Sequence, residues 1–388
     1  MDGPNPELQQ RIVAADRALA MRNVAEARAI LESAVSQNPD HPTFWQRLAT
    51  VRQISGAPGQ ALAALDRALE FDPLDFVNLL MRARILDQAG HSEAGEAYGR
   101  ALAQRRPNPL PPALAPAIER AEAAWLQHQQ DLEHHLAAAL EAAPAGLTPT
   151  ERRRIERLAS NISRRTRIYH SEATHFHFPG LREVEFHDRA AFPWLEELES
   201  LSGTIAAELD RVANASDAVL VPYVQYGTSE PLAQWRELNH NRDWTAIHLI
   251  QRAERIVPNA DYCPATMEFL GRMDQPWIAG CGANAMFSML APRTSIPPHV
   301  GVANFRLLCH LPLIIPGKCW FRVGEEVHDW KSGTAWVFDD TIEHEAVNET
   351  DHLRVIMIFD VWHPDLSPAE KSAIATTVAA SSFQVGAL

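Results

Sequence analysis

Apolar positions in the first hundred residues recur every three or four places, the spacing of helices with one buried face. The pattern also repeats as a block. "ARAILESAVSQNP", "ALAALDRALEFDP" and "AGEAYGRALAQRRP" close at Pro39, Pro73 and Pro107, each 34 residues after the last. A period of that length predicts stacked helix pairs, each too small to bury its own apolar stripe. Ala61, Leu65 and Ala68 fall where two helices must approach closely, and Trp45, Leu48 and Ala49 supply the first helix of that pair. Gly56 and Gly90, also 34 apart, fall in the turns, where a residue tolerant of positive φ is useful.

The prolines of "RRPNPLPPALAPA" interrupt this pattern and predict a stiff connection. A helical pattern returns through "AIERAEAAWLQHQQDLEHHLAAALEAA" and, after Pro144 and Gly146, through "TPTERRRIERLASNISRRT", with Thr148 and Glu151 at capping-box spacing. The arginines at 152 to 154 and 164 to 167 read as a solvated helix face. From about residue 168 the periodicity changes to two. "FPWLEELESLSGTIAAELDRVA" predicts a helix and "WTAIHLIQRAERI" fits strand or helix. "AMFSMLAP", "NFRLLCHLPLII", "KCWFRVGEEVHDW", "TAWVFDD" and "LRVIMIFDVW" are short strands separated by turn residues. Such spacing predicts an antiparallel sandwich or jelly-roll barrel. "LSPAEKSAIATTVAA" closes as a helix capped by Ser367. The fold class is therefore α+β, with repeats over 1–107, a proline-rich connection and helical linker over 108–167, and a β domain over 168–388.

Composition narrows the function. Residues of the AVILMFWYC set make up 46% and charged residues 22%, ordinary for a globular chain. A formal charge of -14 disfavours nucleic acid as a partner. No apolar stretch approaches bilayer length and the start lacks a signal pattern, so a cytoplasmic chain without a membrane partner is expected. The four cysteines form no CxxC pair and are expected as free thiols.

Period-two geometry makes the histidines informative. His299 and Gly301 share a strand face, as do Arg306, Leu308 and His310; Arg354 shares one with Ile356 and Ile358. Inward histidines and an inward arginine suit a metal and a carboxylate ligand. A rival metal pair is His175 and His177, expected to be structural; of the acids around His344 (Asp339, Asp340, Glu343 and Glu345) one could orient its imidazole, though a polar loop of solvated charges is the expected state of each.

The segments "PPHVG", "FRLLCH", "FDDTIEHEAVN" and "HLRVIMIFDVWHP", in this order, resemble the aspartyl/asparaginyl β-hydroxylase family, and the region before about residue 107 resembles tetratricopeptide repeats. The first resemblance implies a double-stranded β-helix (jelly-roll or cupin-like) dioxygenase using Fe(II), 2-oxoglutarate and O2. It implies iron held by His299 and His344, with Gly301 where other oxygenases carry a carboxylate, leaving room for water or a small ligand. It implies 2-oxoglutarate bound by Ser288, His310 and Arg354 beside Trp244, with Arg306 meeting an acidic group of the substrate. A guanidinium fork suits a carboxylate, so the Arg354 assignment is physically sound. One departure is Leu308, where well-known animal members carry a second arginine. The repeats imply a polypeptide substrate or protein client. The competing expectations are a hydroxylase of a small molecule or lipid, and a scaffold with an inactive barrel.

Overall fold

The structure is a computed structural model that describes residues 6–105, 111–142, 146–227 and 233–381. Pro107 and Pro109 of the predicted connection, and Pro144, lie outside the described residues. The chain divides into two compact units, Met1–Thr166 and Arg167–Leu388.

The first unit is helical: α1 (Pro6–Ala20), α2 (Val24–Gln37), α3 (Pro42–Ile54), α4 (Pro58–Leu69), α5 (Phe76–Gln88), α6 (Ala94–Leu102), α7 (Ala115–Glu141) and α8 (Pro149–Ile162). Consecutive helices pack in pairs. Asn23 and Asp75 cap α2 and α5 through bonds from Glu26 N and Asn78 N, satisfying amides that a helix start leaves bare. Leu48, Ala49, Ala61, Leu65 and Ala68 are fully buried, as the pattern predicts. Gly56 (φ 73°) and Gly90 (φ 66°) close the α3–α4 and α5–α6 turns in the left-handed region. The equivalent place in the α1–α2 turn, 34 residues earlier, holds Arg22 at φ 60°. Thr148 and Glu151 form the predicted capping box on α8.

The second unit contains α9 (Leu195–Ser200), α10 (Ser202–Ala213), β1 (Val221–Pro222), β2 (Trp244–Gln251), β3 (Glu254–Arg255), α11 (Val257–Asp261), α12 (Pro264–Arg272) and β4 (Ala285–Leu290). Then follow β5 (Thr294–His299), β6 (Arg306–Ile314), β7 (Cys319–Val323), β8 (Glu326–Asp329), β9 (Trp336–Phe338), β10 (His344–Asn348), β11 (Arg354–Trp362) and α13 (Pro368–Ala380). One sheet runs β1-β2-β4-β11-β6-β9, with β3 on β2; the other runs β5-β10-β7-β8. All strand pairings are antiparallel.

Alternation along β11 shows how the sheets are used. Val355, Met357, Phe359 and Val361 join a core with Leu198, Ile205, Leu209 and Phe269 of the helices. Ile356 and Ile358 join a second core with Phe321, Val323 and Ala346 of the smaller sheet. The larger sheet is thus covered on both faces, and its even-numbered β11 positions look toward the smaller sheet. The segment expected as one helix is two, meeting at Leu201 within the weak helix formers Ser200, Ser202 and Gly203. "WTAIHLIQ" is strand β2. Strand β5, with Pro297 and Pro298, ends at His299, so Gly301, read as sharing its strand face, lies just beyond it; β5 lies at a sheet edge, where a missing amide donor is tolerated.

Candidate active site

His299 ends β5 and His344 begins the neighbouring β10, and the two are opposite in register. Their ring centroids are 4.0 Å apart with planes at 52°. His299 Nδ1 donates to Pro297 O at 2.7 Å and His344 Nδ1 donates to Ile342 O at 3.0 Å. A carbonyl oxygen can only accept, so each Nδ1 carries the proton and each Nε2 keeps its lone pair. Burial holds His299 down at about pKa 4. Burial, reinforced by the neighbouring His299, also holds His344 well below its ordinary value. Both rings are therefore neutral near pH 7, the state a metal ligand requires. Trp235 packs edge-on against His299 at 4.9 Å.

The pair opens on a cavity of about 70 Å³ that Gly301, Arg306, Asp340 and Asp360 also line. Gly301 N donates to Asp340 O at 2.6 Å. A Cβ on Gly301 would overlap Asp340 Oδ2. Asp340, from the loop before β10, thus occupies the space that a side chain at 301 would need, while the cavity itself opens beside Gly301. Among the described residues no group of three His, Cys, Asp or Glu side chains is placed to hold a metal ion, so the imidazole pair has no protein carboxylate completing it.

Arg306 also differs from expectation. Its Nη2 donates to Asp340 Oδ2 at 2.8 Å and its Nη1 to Asp360 Oδ1 at 2.6 Å. Burial opposes this guanidinium's charge, but Asp340 and Asp360 more than offset it and raise its pKa. A substrate carboxylate here would be the third anion around one cation, which is the physical reason for withdrawing that role. Asp360 Oδ2 is further bonded by Asn284 N and Nδ2, each at 2.8 Å. Asp340 Oδ1 has no hydrogen-bond donor among the described residues. Burial lifts Asp340 to about pKa 7 against the pull of Arg306.

A second cluster lies on the adjacent strands β4, β11 and β6, on the face turned toward the smaller sheet. Arg354 is 1% exposed, its guanidinium lies 4.6 Å from the centre of the Trp330 ring, and its Nε and Nη1 find no acceptor among the described residues. Burial lowers its pKa to about 10. A buried cation without a carboxylate is costly and suits an incoming anion. Ser288, which is also buried, accepts from Trp244 Nε1 at 3.0 Å. Trp244 stacks on Tyr223 with centroids 3.8 Å apart. His310 is buried with Nδ1 bare, and burial plus the Arg354 charge keeps it neutral. Rings link the two clusters: Phe338 lies 4.6 Å from His310 and 5.5 Å from His344.

Among the described residues none of the acids Asp339, Glu343 and Glu345 bonds His344. Asp339 accepts from Thr341 N and Oγ1, while Glu343 and Glu345 are taken by Arg322. His175 and His177 do not line the cavity; they contact Thr174 and Asn304. Sequence reasoning missed Asp360, Trp330, Tyr223 and Trp235. Asp360 was within reach, as the lone carboxylate in "VIMIFDVW" on the face of Ile356 and Ile358. Trp330 closes the predicted strand run "KCWFRVGEEVHDW", whereas Tyr223, just past β1, and Trp235 lie outside the patterned strands and carry no comparable signal.

Comparison with known proteins places the β unit among hydroxylases: the family model for aspartyl/asparaginyl beta-hydroxylase matches residues 201–364, and one for the tetratricopeptide repeat matches 18–76. Aspartate beta-hydroxylase domain-containing protein 2 of Xenopus tropicalis is 32% identical over 201 residues, 51% of this chain and 50% of that protein. Human aspartyl/asparaginyl beta-hydroxylase is 33% identical over 145 residues, 37% of this chain and 19% of that protein. The ornithine lipid ester-linked acyl 2-hydroxylase of Rhizobium tropici is 30% identical over 203 residues, 51% of this chain and 68% of that protein. The chain belongs to the aspartyl/asparaginyl β-hydroxylase family and carries tetratricopeptide repeats ahead of the hydroxylase domain. It spans about half the length of the domain-containing protein 2 relative and a fifth of the human hydroxylase.

Proposed function

We propose that the protein is an Fe(II)- and 2-oxoglutarate-dependent dioxygenase that hydroxylates a carbon of a polypeptide side chain, with residues 1–107 recruiting the substrate, 108–167 connecting and 168–388 catalysing. The two facing antiparallel sheets are read as a double-stranded β-helix. The observation that carries the reading is the imidazole pair with both Nδ1 atoms tied to carbonyls and both Nε2 lone pairs available. His299 and His344 would hold the iron through those atoms. The bare guanidinium of Arg354 fits a carboxylate of 2-oxoglutarate, with Ser288 and His310 offering hydroxyl and imidazole contacts. When bound, iron and 2-oxoglutarate supply oxygen activation: one atom of O2 enters the substrate hydroxyl, the other enters succinate, and carbon dioxide leaves. The chain's own part is to hold the groups in place, to keep both imidazoles unprotonated, and to wall the cavity with Tyr223, Met286 and Ile358. No side-chain nucleophile is required.

The test is succinate release by the full chain, expected to need both Fe(II) and 2-oxoglutarate. His299→Ala and His344→Ala should each abolish it and weaken Fe(II) binding in equilibrium dialysis by at least about 100-fold, with unchanged circular dichroism. Tight Fe(II) binding by both variants would overturn the reading. A lipid substrate is the second reading, favoured by the match that spans 68% of the Rhizobium tropici lipid hydroxylase.

A further inference from the structure

Helix α8 turns its apolar side the unusual way. Arg157, Ser160 and Asn161 on one side are half-buried. Just past its end Ser163 is buried, and Gln129 of α7 donates to Ser163 O and Arg164 O at 3.0 and 3.1 Å. The opposite side carries Ile155, Leu158 and Ile162, exposed at 40%, 53% and 48%, and Leu147 in the preceding turn is also exposed. At about 100° per residue the first three fall within a single stripe roughly 60° wide, with Arg152 and Arg154 along its two margins and Glu151, held in the helix cap by Thr148, at its N-terminal end. A surface helix ordinarily packs its apolar stripe inward and offers its polar side to water. Here the polar side is packed and the stripe is left outside.

The charge beside that stripe runs against the chain. Residues 149–165 hold six arginines and two glutamates in a protein whose formal charge is -14; Arg164 and Arg165 are paired with Glu96 and Glu133, which leaves Arg152 and Arg154 as the cations beside the stripe. An exposed aliphatic stripe flanked by arginines is complementary to an anionic phospholipid surface, where side chains of this kind enter the headgroup boundary and guanidinium groups meet phosphates. No helix among the described residues is long and apolar enough to cross a membrane. Spanning and surface docking are separate properties, and α8, with 14 residues, has the size for the second only.

We propose that α8 docks the protein peripherally on an anionic membrane surface, with Ile155, Leu158 and Ile162 inserted and Arg152 and Arg154 on headgroup phosphates. This docking is independent of the hydroxylase reading and holds whatever the substrate. The test is sedimentation of the full chain with vesicles of phosphatidylcholine alone or mixed with phosphatidylglycerol. The protein should sediment with the mixed vesicles only, and less as salt rises. Arg152→Gln and Arg154→Gln should each lower partitioning about fivefold, and Leu158→Glu at least about tenfold, while circular dichroism and melting stay as in the parent. Absence of binding, or equal binding to both vesicle types, would overturn the proposal. So would a dimer in light scattering that Leu158→Glu dissociates, since the stripe would then cover a second copy.

Discussion

Gly301 is held at the site by what stands opposite it. A methyl group there overlaps the Asp340 carboxylate, and Asp340 cannot retreat without loosening its bond to Arg306. Gly301→Ala should therefore destabilise the protein by about 3 kcal/mol, the scale of a broken buried ion pair, read from denaturant midpoints. In an Asp340→Ala background the same change should cost less than about 1 kcal/mol, because the two effects share one contact. Asp340 also gives a pH dependence. Its folded pKa of about 7 lies above the ordinary 3.8, so the folded state keeps a proton that the unfolded chain releases. Its stabilising contribution is complete below pH 3.8 and is lost as pH rises through 7. Unfolding free energy should fall across that window, by at most about 1.4 kcal/mol per pH unit from this group, and Asp340→Asn should flatten the slope. Much of the site was legible at this scale: the positions of His299, His344, Ser288, His310 and Arg354 follow from strand parity and resemblance. The Arg306 charge balance was not, because Asp340 and Asp360 lie 34 and 54 residues away along the chain and meet only through sheet pairing.

The repeat period identified the helix pairs and placed both turn glycines. The first turn breaks the rule, holding Arg22 at φ 60° where its successors have glycine. A non-glycine residue in that region costs about 1 kcal/mol. Arg22→Gly should stabilise the helical unit by about 0.5 to 1 kcal/mol, and Gly56→Ala should destabilise it by a similar amount, measured as opposite shifts of the helical transition in thermal melts. The strands were legible wherever polar and apolar residues alternate. They were hidden in β5, where prolines mask the signal and an edge position excuses them. One helix became two at Leu201 because periodicity does not register a weak junction between segments of the same apolar phase.

For the molecule as a whole, the repeats and the hydroxylase domain pose a division of labour that composition alone does not resolve. If residues 1–107 recruit a polypeptide, their deletion should raise KM for that polypeptide at least about tenfold while leaving kcat nearly unchanged, the pattern of lost uniform binding. Unaltered KM on every polypeptide tested would shift the balance to the lipid reading. The net charge of -14 argued against nucleic acid as a partner, yet the local excess of arginine on α8 shows how an average conceals a patch.

The solitary guanidinium between β11 and Trp330 has one more implication. On the proposed 2-oxoglutarate reading, any short dicarboxylate reaching it relieves the same electrical imbalance, so succinate would compete with 2-oxoglutarate for Arg354. Product departure, rather than oxygen chemistry, would then pace the proposed cycle.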